Sequence, residues 1–132
     1  MGTEAPLCTL EFRWPPSVNH EWIQVRGRMI LSPAGRAYRT YVRGKLMIAR
    51  KKGLVPLAPL GGELRALLEL APPDRRRRDA DNYAKALFDA LTKAAFWNDD
   101  QQVKDLRSVM LDPVQGGMAR LSVWRLREAP HA

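Results

Sequence analysis

Apolar positions along the chain follow two different periods, which predict a mixture of strands and helices. Within residues 7–14 and 64–70, apolar residues occupy every second position, as in a strand with one buried face. Within residues 34–49 and 84–95, apolar residues recur at spacings of three and four, as along one face of an amphipathic helix. The pattern therefore predicts two main helices set among strands.

Capping and turn residues predict where the first half of these elements begins and ends. Ser32 followed by Pro33 is typical of a helix start, and Gly53 is a suitable residue for closing that helix at about Lys52. Arg26-Gly27 lies between two short apolar runs and predicts a hairpin of residues 21–25 and 28–31. Residues 17–19 are expected to form a loop.

The second half of the chain continues the same mixture. Pro72-Pro73 ends the strand of residues 64–70, and the second helix is expected to start near Asp81. Further strands are predicted over residues 103–111 and 119–126. We therefore expect a small α+β domain with a mostly antiparallel sheet and two main helices. The length of 132 residues predicts one domain, 1–132, with an ordered core of about 7–127.

The charge distribution separates one segment from the rest of the chain. Lys and Arg number 22 against 14 Asp and Glu, a net charge of +8, which favours a polyanionic partner such as nucleic acid. Residues 74–105 contain seven acidic and seven basic residues, so the entire excess lies outside that segment. An acidic cluster within a basic protein is the feature that needs an explanation.

Composition also excludes several classes of protein. No apolar run approaches the roughly 20 residues of a membrane span, and the N-terminus lacks a signal-peptide pattern, which predicts a cytoplasmic protein without a membrane partner. The single cysteine, Cys8, and two histidines argue against a zinc site or a serine–histidine–aspartate triad. Phosphate-binding glycine motifs are absent, so no small-molecule cofactor is expected.

The acidic cluster has the residues for metal-assisted phosphodiester hydrolysis. Asp79 and Asp81 are two residues apart in an extended segment, which directs both carboxylates to one side and suits a divalent cation. Lys85 follows Asp81 by one helical turn and could stabilise phosphate charge. Asp99-Asp100 lies at a turn after the helix and could supply a third carboxylate.

Each of these features also has a simpler structural interpretation. Asp79 or Asp81 could cap the second helix, and Asp81 and Lys85 could form an exposed ion pair. The Asp99-Asp100 pair could be only a polar turn. The run Arg75, Arg76, Arg77 and Arg78 could be a solvated face or a phosphate-binding rim. The spacing of Phe88 fits either the core or the face that carries Lys85.

The order of these motifs resembles the RusA family of Holliday-junction resolvases over residues 10–126. The similarity is densest in three runs: P-D-R-R-R-R-D-A-D-N at 73–82, F-D-A-L-T-K-A at 88–94 and F-W-N-D-D-Q-Q-V at 96–103. It extends to W-P-P-S-V-N at 14–19, R-G-R at 26–28, S-P-A-G-R-A-Y-R at 32–39 and G-G at 116–117. Two departures, Ala80 for the usual leucine and Ala95 for a usual glycine, remove no functional group but could loosen local packing.

The resemblance implies an endodeoxyribonuclease of DNA recombination and repair that resolves four-way junctions by paired symmetric nicks. It implies a homodimer of RusA-like fold that uses Mg²⁺, which Mn²⁺ could replace, and a branched DNA substrate. The residues that correspond to the family's catalytic set are Asp79, Asp81, Lys85 and Asp100, with the three aspartates as metal ligands. Those assigned to DNA binding are Arg75, Arg76, Arg77, Arg78 and Phe88, the last by insertion at the junction.

Two other functions stay open on the residues alone. A non-catalytic basic module could use the same arginines to bind nucleic acid, with the aspartates serving as caps. A broader nuclease could cut flaps or forks in addition to junctions.

Overall fold

The computed structural model describes residues 4–127, which form six strands, two long helices and two short helical turns. The strands are β1 (Cys8–Phe12), β2 (Trp22–Val25), β3 (Arg28–Leu31), β4 (Glu63–Ala71), β5 (Val103–Met110) and β6 (Met118–Arg127). The helices are α1 (Val18–Glu21), α2 (Pro33–Lys51) and α3 (Asp81–Lys93), and a 3-10 turn spans Asp100–Gln102. The predicted domain also includes residues 1–3 and 128–132, which lie outside the described residues. No helix in the described range is long and apolar enough to cross a membrane.

The main sheet has the strand order β1-β6-β4-β5, and β2 pairs with β3 as a separate hairpin. β6 is antiparallel to both β1 and β4, whereas β4 and β5 are parallel. Parallel neighbours need a crossover connection, and α3 lies in that connection. The predicted α+β class, the mostly antiparallel sheet and the two main helices are therefore confirmed.

One face of the sheet carries the core, as the strand alternation predicted. Leu64, Ala66, Leu68 and Leu70 of β4 are all buried, and the residues that alternate with them, 63, 65, 67 and 69, are only partly buried. The core cluster joins these side chains to the apolar faces of α2 and α3. Trp97, just after α3, is completely buried and anchors the crossover to the sheet. This packing fixes the direction of α3, which carries most of the candidate site.

The start of α2 follows the predicted capping pattern and packs tightly on α1. The Ser32 hydroxyl accepts a hydrogen bond from Gly35 N at 2.9 Å, and Pro33 occupies the first turn. A β-carbon added at Gly35 would lie 2.6 Å from the carbonyl oxygen of Glu21. Glycine is therefore required where α2 crosses α1.

The hairpin is confirmed, but the segment before it was predicted incorrectly. Arg26 and Gly27 have φ angles of +51° and +76°, as in the two-residue turns whose twist matches paired strands. Residues 17–19 were expected to form a loop and 21–25 a strand, yet α1 occupies Val18–Glu21 and β2 begins at Trp22. A four-residue helix is too short to show an apolar period, so only its packing on α2 and α3 reveals it.

The Ala95 substitution has a backbone consequence. Ala95 has φ +60°, in the left-handed region that favours glycine, immediately after α3. Replacement of the usual family glycine by Ala95 was expected to loosen packing at this position. The structure shows that the alanine instead requires a strained backbone conformation at the exit of α3.

Candidate active site

Asp79 and Asp81 lie at the beginning of α3, and both are exposed. Ala80 is the N-cap residue, and no side chain caps the helix. The interpretation that one of these aspartates is a capping residue is therefore wrong. Asp79 instead supplies its main-chain oxygen to Asn82 N at 3.1 Å, which leaves both carboxylates available to a ligand.

The four arginines before Asp79 do not share one environment. Arg75, Arg76 and Arg77 are exposed, whereas the Arg78 side chain is only 5% exposed. Arg78 Nη1 donates to Asp74 Oδ1 at 2.7 Å and to the Asp74 carbonyl at 3.1 Å. These bonds, with one from Arg76 N, hold the pKa of Asp74 well below its usual range. Arg78 thus closes the loop that presents the other three.

A polar cavity of about 530 Å³ opens beside Asp79. Its lining also includes Arg77, Arg78, Asn82 and Tyr83. The Tyr83 ring rests on Trp14, with ring centroids 4.9 Å apart. The cavity therefore combines a carboxylate, cationic groups and a supported aromatic ring, which is a suitable set for a phosphate and the nucleotide attached to it.

Lys85 points along α3 away from Asp81. Its Nζ lies 3.2 Å from Asp89 Oδ1, an ion pair one helical turn further on. No ion pair between Asp81 and Lys85 occurs among residues 4–127, so that simpler interpretation is also wrong. The Lys85 side chain is 58% exposed and the Asp89 side chain 19% exposed. Asp89 therefore anchors a lysine whose side chain is still largely open to solvent.

The two carboxyl groups of the Asp99-Asp100 pair have different environments. Asp99 Oδ1 accepts from Gln101 N at 2.8 Å, and Gln102 Oε1 accepts from Asp99 N in return, a capping box for the 3-10 turn. Asp100 is partly buried, and burial raises its pKa, with further increases from Asp99 and Asp89. The positive charge of Lys85 acts to lower the pKa of Asp100, so the two side chains lie within electrostatic reach of each other.

A third acidic residue near Lys85 was missed by the sequence analysis. Glu21, the last residue of α1, is 1% exposed, and its Oε2 lies 3.7 Å from Arg39 Nη2. Burial is the main reason that the pKa of Glu21 is raised, and the neighbouring Asp89 adds to it. The only available sequence signal was an acidic residue within a predicted half-buried strand, which is too common to identify a site.

The structure therefore places the predicted residues in two groups along α3. Asp79 and Asp81 form an exposed group at its start, while Lys85 and Asp100 lie with Asp89 further along. Within residues 4–127, no three His, Cys, Asp or Glu side chains are grouped closely enough to hold a metal ion. The expected set of three aspartate ligands is thus not assembled in this single chain.

Phe88 belongs to the core in this structure. It is 8% exposed and packs edge-on against Trp97, with ring centroids 5.3 Å apart. The spacing of Phe88 was compatible with the core or with the face that carries Lys85, and the structure places its ring in the core. Insertion into DNA stays a prediction, and it requires the ring to leave this contact.

Comparisons with known proteins identify the family of this chain. The family model described as "Endodeoxyribonuclease RusA" matches residues 13–124. This chain belongs to the RusA family. It is 44% identical over 110 residues to the crossover junction endodeoxyribonuclease RusA of Enterobacteria phage 82, covering 83% of this chain and 88% of the relative. It is 43% identical over the same length to the protein of that name from Escherichia coli K12, with the same coverage.

The RusA match spans every element that forms the site. It begins at residue 13, before α1, and ends within β6, so it includes both groups on α3 and the arginine loop. The resemblance inferred from the motifs is therefore confirmed at the level of the family. The role of each site residue stays a prediction.

Proposed function

We propose that this RusA-family protein is a Mg²⁺-dependent endodeoxyribonuclease that resolves four-way DNA junctions by paired symmetric nicks, in cytoplasmic DNA recombination and repair. The observation that carries the proposal is the arrangement along α3. Free carboxylates at Asp79 and Asp81 and an anchored lysine at Lys85 lie next to an exposed arginine run. The relatives named as crossover junction endodeoxyribonucleases support the choice of substrate.

The donor chemistry at the start of α3 suits Mg²⁺. Hard oxygen ligands are what this cation requires, and protein sites commonly provide only one or two carboxylates, with water and substrate phosphate completing the shell. Asp79 and Asp81 would hold the ion, and Asp79 lines the cavity where a phosphate would enter. When bound, Mg²⁺ supplies activation of water and stabilisation of charge on the leaving oxygen. Mn²⁺ could replace it.

The remaining site residues orient the substrate phosphate. Lys85 would place its ammonium group against a non-bridging phosphate oxygen, where it stabilises charge that develops in the transition state. The ion pair with Asp89 restricts the conformations of the Lys85 side chain before DNA binds. Less conformational freedom is therefore lost on binding. Asp100, which lies within electrostatic reach of Lys85, would complete the site.

Binding of DNA would use the exposed members of the arginine run. Arg75, Arg76 and Arg77 are exposed to backbone phosphates, with only a 3.4 Å contact from Arg76 Nε to Asp74, whereas the nearly buried Arg78 is held by Asp74 at 2.7 Å. We therefore assign phosphate contacts to the first three and loop stability to Arg78. Neutralising phosphates releases counterions, so junction affinity should fall steeply as salt concentration rises.

A homodimer fits a substrate with two equivalent strands to cut. A two-fold symmetric enzyme presents two identical sites, which makes symmetric nicks a direct consequence of the assembly. Because Asp79, Asp81 and Asp100 are not grouped closely enough to hold a metal ion within residues 4–127, binding of DNA or of a second chain would be needed to complete the site.

The decisive experiment incubates the protein with a synthetic four-way junction, with and without Mg²⁺, and maps the cuts on each strand. We expect nicks at symmetric positions on opposite strands, only with the metal present. Binding without cleavage would identify a non-catalytic binding module. Equal cleavage of flaps and forks would identify a nuclease of broader specificity.

A further inference from the structure

Glu21 is an acidic side chain buried at the point where three helices meet. It is 1% exposed and ends α1, which packs against both α2 and α3. Burial of an ionised carboxylate is unfavourable unless it is paired and hydrogen-bonded. Retaining an acid at such a position therefore requires a specific role for its charge or its proton.

The main chain around Glu21 holds the residue rigidly. Glu21 N donates to Ser17 O at 2.8 Å, and its carbonyl oxygen accepts from Ser32 N at 2.9 Å. The same carbonyl lies against Gly35 of α2, where no β-carbon could fit. The backbone of Glu21 is thus fixed relative to α2, whichever protonation state its carboxyl group adopts.

The Glu21 carboxyl faces groups from both neighbouring helices. Arg39 of α2 lies on one side, with its Nη2 3.7 Å from Glu21 Oε2, and Asp89 and Lys85 of α3 lie on the other. Glu21 Oε1 and Arg39 Nε are buried and have no hydrogen-bond partner. Burial and the neighbouring Asp89 both raise the pKa of Glu21, and a proton held between the two carboxyls would supply the donor that Glu21 lacks and remove their repulsion.

Asp89 connects this buried acid to the site, because it is also the ion-pair partner of Lys85 at 3.2 Å. We infer that Glu21 is a positioning residue that holds the Asp89 carboxylate in place and so directs the Lys85 ammonium group towards the substrate phosphate. The inference depends on the proposed function only for the consequence on cleavage. The effect on the location of Lys85 is independent of it.

Substitutions of matched size separate this role from simple support of the fold. Glu21→Leu fills the buried space without a polar contact to Asp89, and Glu21→Gln keeps a hydrogen-bond donor there. We expect Glu21→Leu to lower kcat for junction cleavage roughly 10- to 100-fold with an unchanged Kd, and Glu21→Gln to restore most of it. Glu11→Leu, which removes an exposed carboxylate paired with Arg120, is the control and should cleave normally.

A double-mutant cycle tests whether Glu21 acts through Asp89. Asp89→Asn should reduce kcat by a similar factor, and adding Glu21→Leu should then have little further effect. Independent, multiplying losses would overturn the inference, as would full activity of Glu21→Leu. Should Glu21→Leu fail to fold by circular dichroism, Glu21→Met replaces it as the variant of similar length without the donor.

Nuclear magnetic resonance of the lysine side-chain ammonium groups gives a readout that does not need cleavage. Glu21→Leu should shift or broaden the Lys85 signal, Glu21→Gln should return it towards the wild-type position, and the signal of exposed Lys45 should not move. An unchanged Lys85 signal in Glu21→Leu contradicts the inference even if cleavage by that variant is reduced. Failure of the wild-type protein to cut any junction contradicts the proposed function alone, because the Lys85 result still stands.

Discussion

The two ends of the site on α3 differ in how firmly the surrounding structure holds their side chains. At the start of the helix, Asp79 and Asp81 are exposed and make no capping contact. One to two turns further on, Lys85 is tied to Asp89, which in turn lies against buried Glu21. The first end depends on a ligand to complete it, whereas the second is organised by the packing of α1, α2 and α3.

This difference has a physical reason. Two unpaired carboxylates are tolerated in water, where their charges are screened, and they become useful only when a cation enters. A lysine that must meet one phosphate oxygen loses conformational freedom on binding, so anchoring it beforehand is favourable.

The exposed end should be most sensitive to loss of charge. Asp81→Asn is expected to reduce kcat for junction cleavage by about 1000-fold or more, because a carboxamide is a weak ligand for a divalent cation. The Kd for the junction in a gel-shift assay should change by less than about threefold, since phosphate contacts dominate affinity. Asp112→Asn, an exposed aspartate in the loop after β5, serves as the control and should cleave at the wild-type rate.

The anchored end should give a smaller loss. Lys85→Met keeps the length of the side chain and should lower kcat by about 100-fold, the effect of removing one group that stabilises transition-state charge. Lys93→Met, in the last turn of the same helix, removes an equal charge that makes no ion pair with the described residues and should leave kcat unchanged. Equal losses in both variants would mean that Lys85 contributes only to the overall field of the protein.

The packing that supports the anchored end can be tested at two glycines of α2. Gly35→Ala should destabilise the protein by about 1–3 kcal/mol in urea unfolding, because its β-carbon would meet the Glu21 carbonyl. Gly44→Ala meets no atom within 4 Å and should stabilise it by about 0.5–1 kcal/mol through helix propensity. A change of the same sign in the free energy of unfolding of both variants would indicate that α1 can move away from α2 without a loss of stability.

The pH dependence of stability should expose the buried acid. A raised pKa means that the folded state binds the Glu21 proton more tightly than the unfolded chain. The resulting stability is complete below the ordinary pKa of 4.5 and is lost as pH rises through the folded-state pKa. Glu21→Gln lacks this loss, so its free energy of unfolding relative to wild type should increase above pH 4.5, by at most about 1.4 kcal/mol per pH unit. A constant difference across that range would contradict the raised pKa.

The smallest effect is expected at the turn that leads from α3 to Asp100. Ala95→Gly relieves a left-handed conformation and should stabilise the protein by about 1 kcal/mol in thermal unfolding. Ala94→Gly, next to it but at φ −85°, gains nothing from the change and should be destabilising or neutral. Cleavage should be preserved in both, because neither side chain reaches the site.

Local patterns were sufficient for most of the fold. Strand alternation in β4, the Ser32-Pro33 start of α2 and the Arg26-Gly27 turn are short-range features, and each appears where it was predicted. The parallel pairing of β4 with β5 was not predicted, because it depends on how α3 crosses the sheet. The family match likewise followed from the order of motifs along the chain.

What the sequence determined by itself was the set of chemical groups and their order along the chain, since carboxylates, lysine and arginines are fixed by residue type. The tertiary structure decided which partners they have. Lys85 is one turn from both Asp81 and Asp89, and in the folded chain it pairs with Asp89, the neighbour of buried Glu21. Arg78 pairs with Asp74 and lies over the Trp14 ring, and Phe88 packs against Trp97. Spacing along a helix leaves two neighbours equivalent, and contacts from distant segments select between them.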